Sequence, residues 1–492
     1  MCALLRHNCG LVVTHNLHDV YTFIKSLQHR GREAAGIAAI GHNRIDVVKW
    51  LGKVDAIKNE TLHEIFDASE YHTFFAHVRY ATKGRKDKLL EDAHPHVIGG
   101  EVIDYGTHIH IRDCDMAAIH NGQVNFEDMP PFDKSLLKTG CDTEALLHCI
   151  NNGMNEVEML KKIKGAYTLA IADKKKDAVI VVRDRTGIRP GVLGWKDGKY
   201  VVASESIALE ENGAELREDL EPGAIYYLDS SGSFSKKKII DGNISHCFFE
   251  WNYLGHKKSR VDGVSVFELR LALGEKLADE FRPEDADYVT FIPEAPIIAA
   301  RGYAKKTGLK YKTIFYKLKD ERAFQGSTSE ERKASISKNL YIRPSMFNNL
   351  KGSTLVIIDD SFVRGTNSKY AVDLLFNVGV KKIYLVSYTP PIGVIGSDSI
   401  LRGCKWGVDM APDDNFIARY TPSDDELRKN PKLTPRNRSS DEIAEKLSQG
   451  IPPGREIKVV YLSTEGMLKA FESQKMHREK LCTYCIGGKK PF

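Results

Sequence analysis

The chain has 492 residues, 42% apolar and 28% charged, with 71 basic against 66 acidic residues and a formal net charge of +5. This is the composition of a globular protein of roughly two to four domains; no run of about 18 apolar residues offers a membrane span, and the basic surplus is too small to argue for nucleic acid. The opening MCALLRHNCG lacks the apolar run of a secretory signal, so the nine cysteines are expected in a reducing cytoplasm, as thiols or metal ligands.

The first half, to about residue 240, reads mainly as strands. Helical periodicity covers Asp19–His29 and Thr143–Asn152. LAIADKKKDAVIVVRD predicts a hairpin around a polar turn at Lys174–Asp177, and KYVVASES and GAIYYLD predict further short strands. Many strands with few helices imply a layered α+β domain. SSGSFSKKK, between Asp229 and His246, is turn-like and marks a boundary, giving domains 2–240 and 241–492. Beyond residue 265 helices and apolar strands alternate. The expected order is helix 265–281, strand Tyr288–Ile292, helix Pro296–Thr307, strand Tyr311–Tyr316, strand Thr354–Ile358, helix Ser368–Val378 and strand Lys382–Tyr388. That alternation predicts a doubly wound parallel sheet. The polar stretch 317–352 is expected to be a long loop, a candidate lid, and 421–456, rich in Pro, Ser, Asp and Lys, a second mobile segment.

Cys2 follows Met1. Removal of the methionine would leave Cys2 at the N-terminus, where an α-amine with an intrinsic pKa of about 8 serves its own thiol as general base. Cys9, followed by Gly10, is a competing nucleophile whose amine only a longer processing event would expose. Downstream stand HRGREAAGI (29–37), HVRYATKG (77–84), IHNGQVN (119–125), CDTEALL (141–147), KGAYTLAI (164–171), RDRTGIRP (183–190) and ASES (203–206). Together and in this order they resemble the class II glutamine amidotransferase domain, an N-terminal nucleophile fold with an αββα sandwich. The resemblance implies that Cys2 attacks the glutamine amide, and that Asn121 with the Gly122 N–H forms the oxyanion hole. It further implies that Arg79 clamps the α-carboxylate and Asp142 the α-ammonium. The chain departs from that pattern in Ala3, where a glycine is usual after the cysteine, in the 27 residues from Cys2 to His29, and in Arg32, where glutamine is usual.

LVIIDDSFVRGTNSK (355–369) is a buried strand ending in two acids, then a turn, then a helix start. Strand-end loops are where open α/β sheets bind ligands. Asp359 and Asp360 suit ribose hydroxyls and a hydrated Mg²⁺. Arg364, Gly365, Thr366, Asn367 and Ser368 form an anion cradle suited to a 5-phosphate. The string resembles the signature of the type I phosphoribosyltransferases, which bind phosphoribosyl pyrophosphate (PRPP). CFFEWNYLGHKKSRVDGVSVFELRLALGEKLA (247–278), RAFQGSTSEER (322–332), SYTPPI (387–392) and CKWGVDM (404–410) narrow the resemblance to the amidophosphoribosyltransferases. One departure concerns PEAPIIAA, where Ala295 and Pro296 replace the serine and glycine of a pyrophosphate-binding turn. Alanine brings no oxygen and proline no N–H, so another group must hold the pyrophosphate or PRPP binds more weakly; Arg301 and Arg322 are the candidate compensators.

Cys482-Thr-Tyr-Cys485 alone is ambiguous between redox, zinc and iron–sulfur use. The family resemblance implies that Cys247, Cys404, Cys482 and Cys485 ligate a structural [4Fe–4S] cluster. Cys9, Cys114, Cys141 and Cys149 are read as core or incidental thiols. The resemblance implies an enzyme that takes glutamine and PRPP with Mg²⁺, yields 5-phosphoribosylamine at the first committed step of purine synthesis, responds to purine nucleotides and forms homo-oligomers, without a nucleic-acid or membrane partner. The alternatives are a catalytically degraded PRPP- or nucleotide-binding regulator and an amidotransferase for a different phosphoribosyl acceptor.

Overall fold

The computed structural model describes residues 9–80, 89–317 and 340–491. Cys2, part of the HVRYATKG segment and the 322–332 segment with Arg322 lie outside the described residues. Thirteen strands of the first half, from Gly10–Thr14 to Phe234–Lys238, join in one hydrogen-bonded sheet. It folds on itself because its strands are apolar on both faces. In Gly10–Thr14, Leu11 and Val13 face one core while Val12 faces another; Ala38 and Ile40 part from Ile37 and Ala39 in the same way. The inner core draws strands from both ends of the sheet, so it lies between two β layers. The helices Leu17–Ser26 and Asp142–Asn151 cover opposite outer faces. The result is the expected αββα sandwich, with the predicted hairpin at Gly165–Asp173 and Ala178–Arg183.

The second half holds five parallel strands in the spatial order Lys310–Tyr311, Tyr288–Phe291, Thr354–Asp359, Lys382–Ser387 and Glu456–Tyr461. Val356 and Ile358 face the core under helices Val266–Glu280, Ile297–Thr307 and Thr464–Ser473; Leu355 and Ile357 face the core under Thr366–Asn377 and Ser440–Ser448. Helices on both faces make the sheet doubly wound. No helix among the described residues is long and apolar enough to cross a membrane.

Three expectations change. The run at 311–316 is two strands. Lys310–Tyr311 ends the main sheet, while Phe315–Lys317 leaves it to pair with Leu340–Ile342. The SSGSFSKKK stretch turns only at its start; Phe234–Lys238 pairs along Ala224–Asp229. The segment 421–456 is not a bare loop. It carries helices Asp424–Lys429 and Ser440–Ser448, each opened by a reciprocal capping box, Ser423 with Glu426 and Ser439 with Glu442. Ser-x-x-Glu satisfies two orphan donors at each start, which offsets the polar composition.

Candidate functional site

Cys9 is buried at the head of the Gly10–Thr14 strand, which pairs with Thr73–Arg79. The Tyr80 main-chain N–H donates to its thiol, and Arg30 Nε donates to its carbonyl at 2.9 Å. Burial pushes the Cys9 thiol up to about 12, against the pull of Tyr80, Arg79 and Arg30. Gly10 is required by packing, because a Cβ there would lie 2.9 Å from Leu27 Cβ. Arg79 is buried at the end of its strand; Nη1 donates to Leu89 O at 2.9 Å and Nη2 lies 3.6 Å from Asp92. Asn121 is fully buried in the long strand His108–Val124, yet among the described residues neither side-chain Nδ2 nor Oδ1 has a hydrogen-bond partner. Leaving a buried amide unpaired costs about 1–3 kcal/mol, a cost that a ligand bound against Asn121 would offset. Asp142 opens the helix Asp142–Asn151 and accepts Val124 N–H at 2.8 Å. The fold thus brings Cys9, Arg79, Asn121, Gly122 and Asp142 to neighbouring strand ends and one helix start.

Gly122 sits at φ +146°, and a Cβ there would stand 1.8 Å from Ala166 O. Backbone cannot yield as a side-chain tip can. Gly122→Ala is therefore expected to destabilise the protein by more than about 2 kcal/mol, read as a lower denaturant midpoint at unchanged slope.

At the second site Asp359 is buried at the end of the Thr354–Asp359 strand. Its Oδ1 accepts Asp360 N–H at 2.9 Å and its Oδ2 accepts the Ser368 hydroxyl at 3.3 Å. Burial and the neighbouring Asp360 push Asp359 well above the usual carboxylate range, and burial pushes Asp360 up to about 6. Two carboxylates crowded out of water call for a cation. Gly365 precedes helix Thr366–Asn377 at φ +76°, where a Cβ would meet Ile417 Cδ1 at 2.3 Å. Glycine favours this left-handed turn, after which the first amides of the helix have no intrahelical partner. The Arg364 side chain does not point to the cradle; it donates to Asp414 at 2.8 Å. Thr366 is half-buried and Asn367 exposed.

The PEAPII turn follows Tyr288–Phe291, the strand next to Thr354–Asp359. Pro296 caps helix Ile297–Thr307, and Arg301 lies 6.0 Å from the centre of the Tyr311 ring, engaged at the helix surface. The cation that does feel this corner is Lys317, which sequence reasoning missed. Its exposed ammonium is drawn toward the charges of Glu294, Asp359 and Asp360, with Arg32 opposing them. Arg32 belongs to the first half of the chain. Tyr253, nearly half exposed, also feels charge from both halves: Tyr80 and the Asp359–Asp360 pair raise its hydroxyl pKa.

Residues 110–245 match the family model described as a glutamine amidotransferase domain. An amidophosphoribosyltransferase of Archaeoglobus fulgidus is 31% identical over 81% of this chain and 83% of its own length. The chain belongs to the amidophosphoribosyltransferase family. A second relative of that name, from Methanocaldococcus jannaschii, is 29% identical over 96% of this chain and 94% of its own. The solved glutamine PRPP amidotransferase of B. subtilis, complexed with ADP and GMP, superposes with a TM-score of 0.75 at 26% identity, covering 98% of this chain and 97% of that one.

Of the cysteines outside the amidotransferase pocket, Cys114 and Cys149 are core thiols, as expected for this family member. Cys247, Cys404, Cys482 and Cys485 line one small apolar cavity, with Ile188, Phe249, Trp406 and Met410 among its other walls. Cys247 lies opposite Cys482 in a two-stranded parallel ladder. The Trp406 and Val408 N–H groups both donate to Cys404 Sγ at 3.4 Å. Four thiols converging on an apolar void, with amides aimed at sulfur, fit a metal–thiolate group.

Proposed function

We propose that this chain is a glutamine-dependent amidophosphoribosyltransferase, made of an amidotransferase half ending in 239–245 and a phosphoribosyl half with the cysteine-bearing tail. The observation that carries the reading is that one chain of this family holds two chemically distinct clusters, Arg79 with Asn121 and Asp359 with Asp360, with Tyr253 under the electrostatic influence of Tyr80 in one half and of the Asp359–Asp360 pair in the other. Arg79 takes the α-carboxylate of glutamine and Asp142 its α-ammonium. The nucleophile attacks the side-chain amide, and Asn121 Nδ2 with the Gly122 N–H donates to the oxyanion. A donor aimed at charge that develops only in the transition state is worth about 10²–10³ in rate. Ammonia leaves, water releases glutamate from the thioester, and ammonia passes by Tyr253 to C1 of PRPP, displacing pyrophosphate.

Two cysteines compete for the nucleophile. Cys2 is the expectation from position; what supports Cys9 is its contact with Tyr80 N–H beside Arg79, and the glycine its strand demands at position 10. Hydrolysis of the Asn8–Cys9 peptide would free the Cys9 amine, which then takes the thiol proton. Asp359 and Asp360 would hold a hydrated Mg²⁺ that offsets the pyrophosphate charge, with Lys317 facing the same corner in place of the lost serine and glycine. The amides of Thr366 to Ser368 take the 5-phosphate. Purine nucleotides carry that same group and would compete for it. The four-cysteine cavity would hold the [4Fe–4S] cluster, tying the tail to the junction of the halves.

The test is anaerobic assay with glutamine, PRPP and Mg²⁺, recording glutamate and pyrophosphate together. Equal amounts of the two support the reading; glutamate without pyrophosphate removes it in favour of a different acceptor. Asp359→Asn is expected to lower pyrophosphate release by roughly 10–100-fold with either glutamine or ammonia as donor.

A further inference from the structure

His94, His96 and Cys141 place one ligating atom each within 4.8 Å of one another, in a fully buried position. They come from two distant segments. His94 and His96 flank Pro95 at the start of strand His96–Asp104, and Cys141 is the residue before helix Asp142–Asn151. His94 Nε2 faces Cys141 Sγ at 4.0 Å, and the rings of His94 and His96 stand edge-on at 4.7 Å. Ligand atoms around a tetrahedral zinc are separated by about 3.3–3.7 Å, given bond lengths near 2.0 and 2.3 Å. Starting within 4.8 Å of one another, the three donors need to close by at most about 1.5 Å, within the reach of side-chain rotation.

We propose that His94, His96 and Cys141 form a buried site for a zinc-class divalent cation, distinct from the four-cysteine cavity. Imidazole and thiolate are the donors this class of metal prefers. A water would complete the shell, and the Thr143 hydroxyl, now hydrogen-bonded to His94 Nε2 at 2.9 Å and to His120 Nδ1 at 3.1 Å, would give up its bond to His94 when the metal binds. Full burial means that the metal enters as the chain folds. Asp142 Oδ1 lies 3.6 Å from Cys141 Sγ. Resting on the reading of Asp142 as the ammonium clamp, the bound cation makes that clamp weaker and raises the KM for glutamine.

The experiment is metal analysis and zinc X-ray absorption on full-length protein purified from zinc-replete cells, for wild type and for His94→Gln/His96→Phe. Expected is one tightly held zinc with two imidazole nitrogens and one sulfur, absent from the variant. Zinc in an all-sulfur shell, zinc retained by a folded variant, or no zinc at all overturns the site. Should the variant fail to fold, Cys141→Ser must change the shell from one sulfur to none while keeping two nitrogens; an unchanged shell again overturns it. The metal count and shell stand or fall separately from glutamine chemistry. A several-fold lower glutamine KM in the zinc-free variant, at unchanged ammonia-dependent rate, supports the Asp142 coupling; an equal KM removes that coupling alone.

Discussion

Cys9→Ala is expected to abolish glutamine-dependent turnover, by at least about 10³-fold, while ammonia-dependent synthesis from PRPP persists. Cys2→Ala is expected to leave both intact. The magnitude follows from the loss of a covalent route together with its built-in base. The buried thiol is held protonated in the uncleaved chain, its pKa pushed up to about 12 chiefly by burial. Activity therefore depends on freeing the amine. Intact mass should show active protein lacking residues 1–8, and a variant that blocks cleavage at Asn8–Cys9 should behave like Cys9→Ala. If Cys2→Ala instead removes glutamine use and active protein begins at Cys2, the assignment reverts to Cys2.

The two candidate nucleophiles show what could and could not be read from the sequence. A motif confined to one strand–turn–helix, such as 355–369, states its own geometry: the strand ends at Asp359, the glycine turns, the helix begins at Thr366. Alternation of apolar residues on both faces likewise announces buried strands in both halves. What is not local is not legible. Choosing Cys9 required knowing that its strand lies against Arg79, although the Cys9-Gly10 pair was the available signal. Lys317 carries no motif and acquires its role because strand Phe315–Lys317 leaves the main sheet. Arg364 lies within the motif, but Asp414, fifty positions on, decides where its side chain goes. His94 and Cys141 meet only because the sheet register brings residue 96 opposite residue 118, beneath the following helix.

Arg30→Met is expected to destabilise the protein by about 3–5 kcal/mol, the cost of leaving buried carboxylates without their cation. Arg30 is almost fully buried, pairs with Glu205 through Nη1 and reaches Glu250 at 3.1 Å through Nη2. Glu250 in turn binds Arg189 at 2.8 Å, and Arg189 donates to Trp406 O at 2.9 Å, beside Cys404. Burial alone would raise the Glu205 carboxyl, but His29 and Arg30 hold it well below the usual range. Two arginines balance two carboxylates. With Arg30 gone, His29 at 3.0 Å is the remaining side-chain ion-pair partner of Glu205 among the described residues. Arg30→Lys should fall between, since one ammonium cannot serve Cys9 O, Glu205 and Glu250 at once. Because the chain of pairs runs from the Cys9 strand to the segment around Cys404, its loss should also divide thermal unfolding into two calorimetric transitions. A single transition with a loss under 1 kcal/mol would mean that water relieves the stranded carboxylates, and that packing across Glu250 and Trp406, not charge, holds the halves together.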